Sequence, residues 1–256
     1  MILSRKHIVA AAFFAACLLA RPTFAGPPFI TDDPEPVDLH HWEFYTFGIS
    51  NYSSDSHSSD NFIQGPAIEI NYGALPDMQL HLVFGGAYDK ATGDNAQYGF
   101  SDTELGIKYR FIHETDVIPQ VGFFPLVELP TGDADRGLGN GRAQFFLPVW
   151  LQKSWGEENH EWTTFAGGGF WINEGEGNKD FWRLGWEVQH DLGEHLTLGG
   201  EIFHETSAAE GDSGHTAFNL GGYYNFDDHN HLLFSAGRDI NGPTQFTCYL
   251  GYQFTF

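Results

Sequence analysis

Only two cysteines occur in 256 residues, Cys17 and Cys248. That excludes a disulfide framework and a cysteine-rich zinc site. Bases are scarce as well: 12 Lys and Arg stand against 34 Asp and Glu, a formal net charge of -22. A chain this negative lacks the basic face that neutralises phosphates, so nucleic acid is excluded as a partner. No apolar run is long enough to cross a bilayer as a helix. The longest, Ile8–Ala20, has 13 residues, short of the roughly 20 required. After residue 25 the longest apolar stretch is Phe145–Leu151, interrupted by Pro148. Aromatic residues, by contrast, make up 16% of the chain and glycines number 31. So many aromatics argue against intrinsic disorder, and the composition leans towards β structure.

The chain opens with an export address. Arg5, Lys6 and His7 precede the 13-residue run, and Thr23-Phe24-Ala25 forms a small-x-small cleavage site. Two other readings stand beside it. One is an uncleaved anchor; the other is a lipoprotein site at Phe14-Ala15-Ala16-Cys17, for which Phe is a poor first residue. Cleavage after Ala25 removes three of the 12 bases and none of the 34 acids. It also leaves Cys248 as the one thiol. An exported chain without a spanning helix is either soluble or a membrane β-barrel.

Alternation separates these two. In 102–111, Asp102, Glu104, Gly106, Lys108 and Arg110 share one face, and Thr103, Leu105, Ile107, Tyr109 and Phe111 share the other. This period of two marks a strand with unlike surroundings on its two sides. The segments 181–189, 196–205 and 246–256 repeat it. Soluble sandwiches alternate too, but here large aromatics stand near strand ends: Trp155 and Trp162, Trp171 and Trp182, Tyr72, and Phe226. Such girdles are expected of a membrane barrel. The opposite faces carry charges and glycine, which suits a polar lumen.

Twelve strands are predicted, at 42–52, 62–73, 78–89, 99–112, 117–130, 142–155, 161–173, 181–191, 196–206, 215–226, 231–238 and 245–256. Most are near the ~9–11 residues that cross at a tilt. The connections 73–77, 113–116, 156–160, 191–195 and 227–230 are tight. Those at 53–61, 90–98, 131–141, 174–180, 207–214 and 239–244 are longer or richer in Gly, Ser and Asp. Short turns on one rim and longer loops on the other define an outer-membrane barrel, with both termini at the periplasmic rim. The predicted fold is therefore all-β: an up-and-down antiparallel transmembrane β-barrel of about twelve strands. Register follows from energy. A charge facing lipid costs roughly 2–4 kcal/mol at midplane, so slipping 99–112 by one residue costs on the order of 5–10 kcal/mol.

Inward candidates are Glu69, His81, Asp102, Glu104, Lys108 and Arg110 from the first half of the chain. Glu128, Arg183, Glu187, Glu201 and Glu205 follow in the second. Acids outnumber bases. Two readings stay open: a weakly cation-preferring polar pore, or a closed barrel whose salt-bridged lumen serves stability or surface contact. The loop 131–141 is the best candidate to fold inward; its carboxylates suggest calcium but lack EF-hand spacing.

His113, His160, His190, His195, His229 and His231 cluster near predicted turns, either as weak metal capture or as polar turn residues. No pair has a closed-site spacing, so no metal or cofactor is expected. Nor is catalysis: there is no Gly-x-Ser-x-Gly, and the nearest triad-like grouping is His204, Thr206 and Ser207. The Pro-rich segment 26–41 cannot be a central strand or helix. It reads as an extended periplasmic lead-in, with a luminal plug or a contact for a periplasmic partner as the other readings.

Finally, GPPFITDDPEPVDLHHWEFY (26–45), INYGALPDMQLHL (70–82), LPTGDADRGLGNGRAQ (129–144) and LPVWLQKSWG (147–156) resemble the family of transporters named for the MetA pathway of phenol degradation. The resemblance covers nearly the whole mature chain. It implies a Gram-negative outer-membrane barrel that takes up aromatic or other hydrophobic small molecules, with membrane lipid and cargo as its partners. It names no site residues. The ending Tyr252-x-Phe254-x-Phe256 also looks like the terminal signal read by the barrel-assembly machinery.

Overall fold

The computed structural model describes residues 27–54 and 58–256. The export signal expected at 1–25 lies outside them. Fourteen antiparallel strands form one sheet that closes on itself. They are β1 (Trp42–Ser54), β2 (Ser59–Leu75), β3 (Met78–Ala91), β4 (Gln97–Phe100), β5 (Thr103–Ile112), β6 (Gln120–Phe123) and β7 (Leu126–Leu129). After a short 3-10 turn at Ala134–Arg136 come β8 (Gln144–Trp155), β9 (Trp162–Asn173), β10 (Phe181–Asp191), β11 (Leu196–Glu205), β12 (His215–Asp227), β13 (Asn230–Asn241) and β14 (Thr244–Thr255).

β4 and β5 are halves of one stave, since both pair with β3. β6 and β7 are halves of another, since both pair with β8. The barrel thus has twelve staves in up-and-down order. Closure joins β1 to β14, from Glu43 opposite Thr255 to Ser53 opposite Thr244. Trp42 and Phe256 exchange backbone hydrogen bonds of 2.7 and 3.0 Å, so both ends of the sheet meet at one rim.

The break between β6 and β7 has a chemical cause. Pro125 has no N–H to give the ladder, and Pro148 of β8, which faces the adjoining Phe124, has none either. The remaining bonds bridge the gap: Phe124 N donates to the Pro148 carbonyl at 3.2 Å, and Ile107 N to the Pro125 carbonyl at 3.1 Å. Phe124 keeps the inward parity of Gln120, Gly122, Leu126 and Glu128 and is buried in the barrel.

Three connections depart from the sequence expectation. The turn after β5 spans 113–119 because β6 begins only at Gln120. The expected loop 239–244 shrinks to Gly242 and Pro243, and 53–61 is largely strand, with Ser54 opposite Ser59.

Leu147, Val149, Leu151, Trp155, Trp162, Trp182 and Phe226 point outward and are exposed. Trp171 corrects the predicted girdle: it is 4% exposed, against 52% for Trp182. Trp171 lies an odd number of positions along β9 from the outward Trp162, so the two must lie on opposite faces.

The Pro-rich segment is the second correction. It is extended, but it runs inside the barrel, with Thr31 and Pro34 fully buried. Two luminal glycines make room for it. A methyl group on Gly73 would collide with the Asp38 carbonyl, and one on Gly185 with the Thr31 hydroxyl.

Candidate functional site

The lumen is built around the lead-in. Lys108 on β5, 5% exposed, places Nζ 3.0 Å from both Asp32 Oδ1 and Asp33 Oδ1. One turn of the zigzag further, Arg110 NH1 reaches Glu35 at 3.2 Å while NH2 reaches Asp77 at 2.7 Å. Gln120 accepts from the same guanidinium at 2.9 Å. Burial pushes the Asp77 carboxyl up, but the hydrogen bond and charge of Arg110, helped by His113, outweigh it and hold the group below the ordinary value. On β11, Glu201 accepts from Ile30 N at 2.9 Å and from both Thr31 N and Thr31 Oγ1 at 2.8 Å. Ser235 Oγ donates to the Pro28 carbonyl at 2.6 Å, and Gln79 accepts from Val37 N at 2.9 Å. Hydrogen bonds to charged groups contribute about 1.5–3 kcal/mol each, so the segment is held by strong contacts from staves around the wall.

Halfway along the barrel the wall is acidic. His81 Nε2 lies 2.7 Å from Glu104, and its Nδ1 lies 2.7 Å from Asn71 Oδ1 and 3.6 Å from Glu69. Asn71 Nδ2 donates to Glu69 at 2.8 Å. Nδ1 faces the Asn71 carbonyl oxygen, which accepts a hydrogen bond from that nitrogen, and Nε2 is within hydrogen-bond distance of Glu104. The ring of Phe124 meets His81 edge-on at 5.2 Å and lies beneath Lys108 Nζ at 4.9 Å. Nearer the long-loop rim, Asp102 accepts from Gly132 N at 2.8 Å and Asn140 N at 2.6 Å. These bonds draw the 130–143 loop across the mouth and bury Leu138. Glu128 accepts from Asn140 Nδ2 at 3.0 Å.

An aromatic stretch of wall adjoins this one through Phe124. Phe146 and Trp171 stack at 4.7 Å, and Trp171 and Phe181 at 5.8 Å. Arg183 lies over Phe146 and Trp171 at 5.5 and 5.4 Å and pairs with Glu205 at 2.5 Å. Trp150 completes the cluster. Glu187, fully buried, stands directly across from Glu201 on the neighbouring strand and accepts from Gln189. This aromatic wall was missed in the sequence. The signal was parity: Phe146 and Trp150 share a face with Gln144 and Gln152, and Trp171 shares one with Thr163 and Asn173.

Of the eleven inward candidates, Glu69, His81, Asp102, Glu104, Lys108, Glu128 and Arg183 border the cavities described below, whereas Arg110, Glu187, Glu201 and Glu205 border neither. The fold gathers Glu69, His81 and Glu104 into one cluster, sets Glu187 against Glu201 and joins Arg183 to Glu205. It commits Lys108 and Arg110 to the lead-in.

Two cavities remain. An inner one of about 500 Å³ opens towards Trp42 and Phe256 and includes Lys108, Arg183, Phe146 and Trp171 in its wall. An outer one of about 470 Å³ lies beneath Leu138 and Asn140. Pro27, Phe29 and Ile30 border both, as do Glu69, Glu104 and Glu128. The first residues of the lead-in therefore form the partition.

The other sequence candidates are dispersed. Rings of His190 and Trp162 stack at 4.1 Å, and those of His195 and Tyr224 at 5.9 Å. Among the described residues no three His, Cys, Asp or Glu side chains come together as a metal site. His204 bonds Thr216 at 2.9 Å, Thr206 accepts from Trp182 N, and Ser207 donates to the Ala209 carbonyl. These three do not converge.

Two solved structures share this architecture. An outer membrane channel from Pseudomonas putida F1 superposes with a TM-score of 0.72 at 16% identity, covering 91% of this chain and 100% of that one. The translocator domain of the autotransporter NalP from Neisseria meningitidis gives 0.53 at 9% identity, covering 98% of each chain. At such identities the likeness establishes the fold. No curated protein matches the chain in sequence. The model of the family described as "Putative MetA-pathway of phenol degradation" matches residues 45–255, most of the chain, which therefore belongs to that family.

Proposed function

We propose that the protein is a channel of the Gram-negative outer membrane for passive uptake of small molecules, aromatic and hydrophobic compounds among them. The observation that carries this reading is the pair of luminal cavities, about 500 and 470 Å³, one beside Trp42 and Phe256, the other beneath Leu138, with the lead-in residues Pro27, Phe29 and Ile30 bordering both. Cavities of roughly 300–1,000 Å³ suit small ligands. The family's description refers to phenol degradation, and the Pseudomonas putida relative is described as an outer membrane channel. Seven of the eleven inward candidates, Glu69, His81, Asp102, Glu104, Lys108, Glu128 and Arg183, would line the route, acids outnumbering bases. The reading gives the barrel no catalytic role. Tyr252, Phe254 and Phe256, all outward and exposed, would serve the barrel-assembly machinery before they meet lipid.

One set of contacts favours a second reading: the ion pairs of Lys108 and Arg110 with the lead-in also suit a barrel that stays closed. Planar-bilayer recording separates the two. A channel gives discrete current steps, larger once residues 27–38 are deleted. Silence from both forms, each shown to be folded by its heat-dependent gel migration, would leave the closed barrel.

A further inference from the structure

Both cavities have acidic walls, but only the inner one has bases in it: Lys108, Arg183 and three histidines stand there among nine carboxylates. The outer one has four carboxylates, Glu69, Asp102, Glu104 and Glu128, and no Lys, Arg or His side chain. His81 approaches Glu69 and Glu104 from the inner side. Asp102 and Glu128 receive amide hydrogen bonds in this cavity, from Gly132 N and Asn140 N and from Asn140 Nδ2 respectively. The wall also has apolar and aromatic side chains, Phe29, Phe47, Phe62, Val83, Leu138 and Tyr249, beside the uncharged polar groups of Gln64, Ser101, Ser235 and Thr247. Two further groups there have an unmet hydrogen-bonding capacity. Asn219 and Tyr249 are each more than nine-tenths buried, and Asn219 Oδ1 and Tyr249 Oη have no hydrogen-bond partner. Asn219 Nδ2 is already given to Glu201 at 2.6 Å, so what is left is an acceptor. A buried acceptor without a donor is costly, and excess carboxylate in an enclosed space favours a cation.

From these features we infer that the outer cavity is a binding site for small organic cations: a primary amine or similar ammonium carried on an apolar or aromatic body. The ring lies against Phe47, Phe62 and Tyr249. The ammonium faces Glu69 and Glu128, and its N–H groups supply donors. A carboxylate of the same shape is repelled by all four acids. The inference rests on the channel reading and names the class of cargo at its outer station.

The test is calorimetric titration of the detergent-solubilised barrel with three isosteric probes: 2-phenylethylamine, 2-phenylethanol and phenylacetate. The amine is expected to bind at least tenfold more tightly than the alcohol, and phenylacetate not measurably. Glu128→Gln and Glu69→Gln should each weaken the amine severalfold and leave the alcohol within about twofold. Two variants on different staves guard against one that fails to fold. Equal affinity for amine and alcohol overturns the inference. Current steps that persist beside equal affinities would leave the channel reading intact. Selective amine binding to a barrel that never conducts would remove the channel and keep the site.

Discussion

Replacing Lys108 by Met tests what keeps the lead-in in the lumen. The ammonium is 3.0 Å from Asp32 and from Asp33 and is almost wholly buried. Methionine keeps the length and the contact with Phe124 but leaves two neighbouring carboxylates without their cation. Removing one partner of a buried pair costs about 3–5 kcal/mol. Asp32 retains some water contact, so the lower end applies. At 1.4 kcal/mol per factor of ten, roughly 3 kcal/mol shifts the ratio of docked to released lead-in by about two powers of ten. The barrel wall, whose ladders do not involve this side chain, should persist and keep its heat-dependent gel migration. Released lead-in exposes Asp32 and Asp33, so an endoprotease that cuts before aspartate should trim the variant much faster than the natural chain. Single-channel current should rise in parallel. Lys108→Arg, which keeps the charge, should behave close to the natural protein. Equal protease resistance and identical current traces for Lys108→Met would refute the claim that this ion pair anchors the segment.

Three further outcomes are expected. Gly73→Ala drives a methyl into the Asp38 backbone; overpacking of about 1–3 kcal/mol should free the lead-in and raise current without loss of the barrel, as read by gel shift and recording. Trp171→Ala removes the ring stacked between Phe146 and Phe181 and should destabilise by about 3–5 kcal/mol while enlarging current steps, whereas Trp182→Ala, on the lipid side, should leave step size alone. Asp77→Asn should lower the melting temperature at neutral pH. The Asp77 carboxyl titrates below its ordinary 3.8 in the folded chain, so its stabilisation is complete above that value and is lost as pH falls through the folded pKa. The difference between natural and variant melting temperatures should therefore shrink on acidification to about pH 3, and a constant difference would exclude the Arg110 contact as its source.

The staves were legible because lipid imposes a strict rule on one face of each. Thr103, Leu105, Ile107, Tyr109 and Phe111 admit one register against Asp102, Glu104, Lys108 and Arg110, and the same charges named the luminal face. What lies inside was less legible, because the interior obeys no such rule. Phe146, Trp150 and Trp171 face inward beside glutamine and asparagine, and only counting parity along β8 and β9 reveals them. The lead-in was harder still. Its prolines exclude ladder and helix, but nothing local says that Glu201, about 170 residues away, completes the hydrogen bonding of Ile30 and Thr31. Charge balance offered a hint: Asp32, Asp33 and Glu35 are the acids that the bases of 108 and 110 required.

The order in which these contacts become possible has a consequence for biogenesis. The lead-in is the first described segment to leave the ribosome, yet its holding groups come from Gln79, Lys108, Arg110, Glu201 and Ser235. Those groups surround a common space only after β1 and β14 have met. Loop-closure entropy must be spent on the whole ring before these partners reward it. The earliest stretch to be synthesised is thus the last to settle, and its arrival reports that the cylinder has been sealed.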